Sequence, residues 1–369
     1  MENQWLATEY PNIFFENNKI GQLKKKIFDA PMSEIEKILK DYDIPSPSEL
    51  GKAGSYIQNT PRKHVMEERR KNDIVLVPVG CTECHGDYAN SGLDTFMVTQ
   101  ICEALRRYTK KKGKPVSLAF PPLNYGAHPY HHCGMAGTII MPEDVVRETM
   151  INVMLGLWND GFRKQIWINN HGQLWVLESA LQEFCKRYQL PGIYRVIDWH
   201  RAIREFFIPI ERKDSLSTDF IHADEAEASV GLLLFPDMLD MKYAVDTEGE
   251  SLLPGGHFDT SVDPYRRPQQ WQQGEGHSAI ERAAVPEGVV GKPTRATAEK
   301  AKRPITAILK YLTLVHDEIL ENYPAGKLPP VEKISLRDPK EMEPFLREPM
   351  SKGWKSVFEL PYIGQINSL

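Results

Sequence analysis

Between residues 73 and 235, short apolar runs suited to buried strands alternate with segments of helical spacing, and no other feature narrows the possible folds as far. Ile74-Val75-Leu76-Val77-Pro78-Val79 is continuously apolar, as a strand covered on both faces must be. Residues 165–169, 193–197 and 116–120 also read as strands, and 138–141 as a short one. Phe96, Val98, Ile101 and Leu105 recur at helical intervals over 95–108. Pro142 followed by Glu143 and Asp144 opens a second helix in the favoured order, proline first and acids in the first turn, and Asp160-Gly161 closes it. Further helices are expected over 174–188 and 224–235. Such alternation packs into an α/β fold with a mostly parallel central sheet and helices on both faces. Working residues then gather at the carboxyl ends of the strands.

Outside this stretch the chain changes character. Residues 1–72 are polar, with short helical signals from Ser33 and over 64–71, and read as an N-terminal helical appendage. Residues 73–322 are expected to form the catalytic domain, with a last helix over 301–322, and 323–369 a proline-rich tail. Within that domain, 242–296 is an insertion rich in Gly, Pro, Gln and charge; irregular chain of that length usually serves a site or an interface. The formal charge of -5 argues against a nucleic-acid partner held by a basic surface. Arg106-Arg107 and Lys110 to Lys112 fall where a helix should end, facing water and complementing its dipole. No apolar run reaches the roughly 20 residues of a membrane span. Met1 to Asn18 lacks a basic head followed by an apolar stretch. An odd count of five cysteines suggests free thiols in a reducing compartment, so a cytoplasmic protein without membrane partners is expected.

The residues that follow each strand carry the chemistry. After the first come Glu83, His85 and, nine residues past the histidine, Asp94. After the second come Tyr125, His128, His131 and His132, and after the fourth Asn169-Asn170-His171-Gly172. Asp198-Trp199-His200 follows the fifth, and His222, Asp224, Glu225 and Glu227 open the next helix. Seven of the eleven histidines thus sit at the expected working edge, with acids beside them. Nitrogen and carboxylate donors together are what zinc or manganese would use. Glu83 and His85 can present their side chains to one side of a loop, and the small residues Gly86, Ala89, Ser91 and Gly92 let it fold back so that Asp94 joins them. His171 can add a nitrogen and Glu227 an oxygen.

Taken singly, each residue has a plainer explanation. Asp94 could cap a helix, His171 could be a hydrogen-bonded core histidine, and the loop histidines need have no function. Glu225 and Glu227, two apart on a helix, point to different sides, so one of them at most faces the site. Together at successive strand ends these explanations fail. The Cys81-x-x-Cys84 pair is a poorer candidate. A structural zinc site usually takes two such pairs and there is no second. A thioredoxin-like site would start a helix, whereas here Glu83 stands between the thiols and would raise their pKa.

These motifs resemble the creatininase family of metal-dependent amidohydrolases. Val77-Pro-Val-Gly-Cys-Thr-Glu-Cys-His-Gly86 looks like that family's strand-end signature, with Asp94 at the matching distance. Tyr125-Gly126 with His132 and Gly137-Thr138 resembles its "YG…H…GT" segment, Asn169-Asn-His-Gly172 its "NGHG" turn, and His222-Ala-Asp-Glu-Ala-Glu-Ala-Ser229 its "HAGExETS" element. The resemblance covers about residues 73–240 and implies a three-layer α/β/α sandwich, a homo-oligomer of six, and two divalent ions, Zn and/or Mn with Fe also possible. Glu83 and His171 would hold one ion, His85 and Glu227 the other, and Asp94 would bridge. His222, as proton shuttle, and Glu227 are the candidate catalytic residues. Tyr125, His128, His132, Gln173, Trp175 and Trp199 are candidate contacts to a small-molecule substrate. Two positions depart from the pattern: Gln173 stands where creatinine-hydrolysing members have a metal-touching glutamate, and Cys84 where the family has glutamine. The chain's length makes it look like the larger relatives that open the cyclic diketone 3-dehydro-scyllo-inosose. A creatinine-like cyclic amide or a formamide is the alternative substrate. A non-catalytic metal-binding scaffold and a thiol oxidoreductase are alternatives of another class.

Overall fold

The computed structural model describes residues 4–9, 14–31, 33–35, 37, 55–113, 115–116, 121–128, 135–247 and 287–363. The chain forms two compact units, Met1–Lys52 and Ala53–Leu369. In the first, β1 (Trp5–Ala7) pairs antiparallel with β2 (Phe14–Glu16). Helix α1 (Lys19–Asp29) follows, its start capped by Asn18, whose side chain accepts the Gly21 N–H at 2.8 Å. The helix expected from Ser33 lies mostly outside the described residues.

The second unit is built on three parallel strands in the order β3 (Ile74–Val79), β4 (Lys164–Asn169), β5 (Ile193–Asp198). Every residue of β3 and β4 is buried, as the unbroken apolar run of β3 requires, and in β4 the burial extends to Lys164, Gln165 and Asn169. Side chains alternate between two cores. On one face Ile74, Leu76, Ile166, Ile168 and Ile197 meet α3 (Leu93–Lys111), α7 (Glu225–Leu234) and α8 (Ala298–Asn322). On the other, Val75, Val77, Val79 and Trp167 meet α2 (Arg62–Arg69), α4 (Glu143–Asn159) and α5 (Leu174–Tyr188). This is the α/β sandwich expected, helices on both sides of a parallel sheet. Short α6 (Trp199–Ala202) continues directly from β5.

Of the run expected as a strand at 116–120, only Val116 is among the described residues. The structure differs from the sequence expectation in three other places. Residues 138–141 form no strand, only an isolated bridge between Ile140 and Gly126. Ile139 and Ile140 are exposed, so pairing there would bury little. The proline-rich segment after 323 carries helices that its sequence did not announce. It contains α9 (Val331–Ile334) and α10 (Pro339–Leu346), and Met342, Phe345, Val357 and Leu360 complete the second core. Likewise α2, assigned from sequence to the appendage, sends Val65 and Met66 into that core. Among the described residues no helix is long and apolar enough to cross a membrane.

Candidate metal centre

Register fixes where the site forms. Val79 pairs with Asn169, and Asn169 with Asp198, so the three strands end flush. The chain leaves the sheet at one level through Gly80, Asn170 and Trp199. After β3 the loop turns back on itself, with the Glu83 N–H donating to Ser91 O at 2.8 Å. Gly80 permits this, because a Cβ there would collide with the Thr95 backbone at the start of α3. The first turn of α3 thereby carries Asp94, fully buried, to the strand end; its N-cap is Gly92, so Asp94 is not spent on capping.

Five side chains converge in two groups, Glu83–Asp94–His171 and His85–Asp94–Glu227, each with its candidate ligand atoms within 4.8 Å of one another. His171 Nδ1 lies 2.8 Å from Glu83 Oε2 and 3.2 Å from Asp94 Oδ2. His85 Nε2 lies 3.7 Å from both Asp94 Oδ1 and Glu227 Oε2, and 4.0 Å from Glu83 Oε2. Each imidazole gives its other nitrogen to a backbone carbonyl: His171 Nε2 to Ala127 O at 3.0 Å, His85 Nδ1 to Glu83 O at 3.1 Å. That is how metal-binding histidines are held, with the ligating nitrogen's tautomer set from behind. His85 Nε2 is buried without a hydrogen-bond partner among the described residues, and three carboxylate oxygens stand around it just beyond hydrogen-bond reach. A divalent cation fits that arrangement, and the N/O donor set suits zinc or manganese.

The electrostatics agree. Burial, with Asp94, Asp224 and Glu83 nearby, holds the Glu227 carboxyl well above its ordinary range. Burial opposes charge on His171, yet the Glu83 carboxylate and its neighbours outweigh it and raise the imidazole well above its usual value. Such crowded, buried acid–base groups mark functional sites. The two glutamates of α7 divide as their spacing requires. Glu227 faces the centre and accepts the Ala223 N–H at 2.6 Å. Glu225 turns away to Ser217, Thr218 and Lys300. Between them and His222, Asp224 caps α7 through the N–H groups of Ala226 and Glu227.

His222 stands at the edge of the centre. Its Nε2–H donates to Cys84 O at 2.9 Å, and its Nδ1 lies 3.7 Å from Glu83 Oε1. His128 also reaches it, Nδ1 at 4.0 Å from Glu83 Oε1 and Nε2 at 2.9 Å from Cys81 Sγ. Tyr125 is exposed beside it in sequence, while His131 and His132 lie outside the described residues. Gln173 is committed elsewhere: its Oε1 accepts the Ala127 N–H at 3.0 Å and its Nε2 donates to Gly80 O at 3.2 Å. A carboxylate could not make the second bond, so the amide here fastens two loops at the rim. Trp175 gives its indole N–H to Glu143 at 3.2 Å. Trp199 is completely buried, which leaves no surface for the substrate contact expected of it. Its N–H donates to Asn170, and Asn170 Nδ2 donates to Asp94 Oδ1 at 2.6 Å. Asn170 was visible in sequence only as a polar neighbour of His171; nothing there distinguished its role from that of Asn169.

Cys81 and Cys84 are free thiols, and burial raises both pKa values, that of Cys81 to about 12. Neither is poised as a thiolate.

Comparison with known proteins adds an independent line. The family model described as "Creatininase: Creatinine amidohydrolase" matches residues 59–315. The 3-dehydro-scyllo-inosose hydrolase of Thermotoga maritima is 42% identical over 305 residues, 83% of this chain and 96% of that protein. The creatinine amidohydrolase of Pseudomonas putida is 26% identical over 211 residues, 53% of this chain and 76% of that protein. The crystal structure of a creatinine amidohydrolase matches 73% of this chain and 98% of its own, with a TM-score of 0.54 at 20% identity, a likeness of fold. A manganese form and a zinc–zinc form of creatininase share it, at TM-scores of 0.53 and identities of 19% and 20%, over 73% and 74% of this chain and 99% and 100% of theirs.

Proposed function

This chain belongs to the creatininase family of metal-dependent hydrolases, and within it we propose that it opens an inositol-derived cyclic diketone of the 3-dehydro-scyllo-inosose type. The observation that carries the reading is the pair of ligand groups sharing Asp94 at the rim of the sheet. The 42% identical hydrolase, matched over 96% of its length, supports the substrate class. In this reading Glu83 and His171 would hold one divalent cation and His85 and Glu227 the other, with Asp94 within reach of both. Zinc and manganese are the candidates. When bound, such a pair would polarise a carbonyl and lower the pKa of a water to roughly 7.

The chain's own residues then do the following. A water gives one proton to His222 Nδ1 as its oxygen adds to one ring carbonyl, and the bond from that carbon to its ring neighbour breaks, leaving a carboxylic acid. The electron pair passes to the second carbonyl as an enolate, and His222 delivers a proton to the released carbon from Nδ1, its Nε2–H being held by Cys84 O. Cys84 thus contributes its backbone, not its thiol. In this reading Tyr125, which is exposed, and His128, whose Nδ1 lies 4.0 Å from Glu83 Oε1, would contact the substrate's hydroxyl groups. Gln173 separates this reading from creatinine hydrolysis, since its amide is tied to Gly80 and Ala127.

The test is turnover by Mn- or Zn-loaded protein of a panel holding oxidised inositols, creatinine and simple formamides, read as gain of one water by mass spectrometry. Ring opening of the cyclic diketone is expected. Turnover of creatinine or a formamide with none of the diketone would overturn the substrate assignment. Stoichiometric metal without turnover of any of them would leave a binding scaffold instead.

A further inference from the structure

We propose that Trp199 and Asn170 form a positioning relay that fixes how the Asp94 carboxylate lies between the two ligand groups, an inference that rests on the two-cation reading above. Asp94 Oδ2 faces His171 Nδ1 at 3.2 Å, and Oδ1 faces His85 Nε2 at 3.7 Å. One oxygen can serve each group only if the carboxylate plane lies across the gap between them. The terminal torsion of aspartate is broad and roughly two-fold, so the helix that carries Asp94 does not by itself set that plane. The 2.6 Å bond from Asn170 Nδ2 to Oδ1 supplies the missing constraint.

An asparagine amide could equally lie the other way round, presenting its own oxygen to the carboxylate, acceptor against acceptor. An indole N–H is a donor only. By engaging Asn170 Oδ1 it leaves the amide nitrogen facing Asp94. Trp199 is in turn immobile: wholly buried, its ring is 4.0 Å from that of His200 and edge-on to Phe207 at 5.4 Å. The Asn170 N–H is anchored to Val79 O at 3.0 Å, on the row where the strands end flush. The relay therefore carries the rigidity of the core to the one ligand shared by both groups. Oδ1 is the oxygen turned to His85, so the ion that would be held there, the second, is the one that depends on the relay.

Manganese binding by the full-length protein tests this, read by calorimetry, metal content and the electron paramagnetic resonance of coupled Mn(II) pairs. The wild type is expected to hold a coupled pair. Asn170→Ala should weaken the second ion about 10- to 100-fold and abolish the coupled signal while the first ion stays within a few fold. Asn170→Asp, nearly the same in size, should lose the second ion at least as strongly. Trp199→Phe keeps the packing but removes the N–H, and should cause a smaller loss at the same position. In the Asn170→Ala background Trp199→Phe should weaken Mn(II) binding no further, whereas a packing defect would add its loss regardless. Additive losses, or a wild-type pair retained in both Asn170 variants, would overturn the relay and leave the two-cation reading standing. A wild type that never holds a pair would sink both.

Discussion

Replacing Glu227 by glutamine should stabilise the protein when metal is absent and destabilise it relative to wild type when metal is present. Glu227, Asp94 and Glu83 are buried carboxylates, and the candidate ligand atoms of Asp94 and Glu227 lie within 4.8 Å. Two unit charges at that distance repel by about 3 kcal/mol at an effective dielectric constant near 20. Without cations, His171 is the positive partner of Glu83 and Asp94, and Glu227 is the surplus charge. Its folded pKa lies above the ordinary carboxyl value. The folded chain therefore holds more protons than the unfolded one across that interval, and metal-free stability falls as pH rises through it. At low pH protonation of Glu227 relieves the repulsion at little cost; as pH rises that relief becomes costlier, and the strain grows toward the full repulsion. Glu227→Gln, which retains an oxygen for the Ala223 N–H, should then gain about 2–3 kcal/mol at pH 8 and under about 1 at pH 5. Calorimetry of chelated protein should show several degrees of upward shift at the higher pH only. Adding Mn(II) should reverse the order, because ligand binding stabilises by mass action and the variant binds less. A chelated variant less stable than wild type at pH 8, or equal gain at both pH values, would refute the argument.

Three further outcomes follow from the geometry. His222→Gln should lower kcat by about 10²- to 10⁴-fold with metal content unchanged, measured by turnover and elemental analysis. The double variant Cys81→Ser, Cys84→Ser should keep its metal and most of its activity, because serine can retain the contact to His128 and neither thiol is activated; inactivity with metal intact would revive a thiol mechanism. Ala223 has φ of 48°, a left-handed conformation that costs a side chain about 1–2 kcal/mol. Ala223→Gly should raise the melting temperature slightly, the relief being partly offset by the greater freedom of glycine in the unfolded chain.

The strand at 74–79 and the helix at 174–188 were legible because burial on both faces, or on one helical stripe, writes itself as a periodicity. Residues 138–141 misled for the same reason, as two isoleucines that in fact face outward mimic a strand core. The short helices after 323 were not legible, because prolines mask them and their few apolar residues find partners only across the fold.

By itself the sequence determined the class of the sheet, the edge at which polar residues collect and the donor types available there, since all three follow from local pattern and composition. Only the tertiary structure decided which of several equivalent side chains would serve: Glu227 facing inward while Glu225 holds a loop, Gln173 tying backbones, Trp199 steadying Asn170. The roles of Gln173 and Trp199 depend on hydrogen-bond partners tens of residues away, that of Glu225 also on distant Lys300, and the whole centre on a register that brings three strand ends to one level. No local pattern encodes a contact between segments that meet only after the chain has folded.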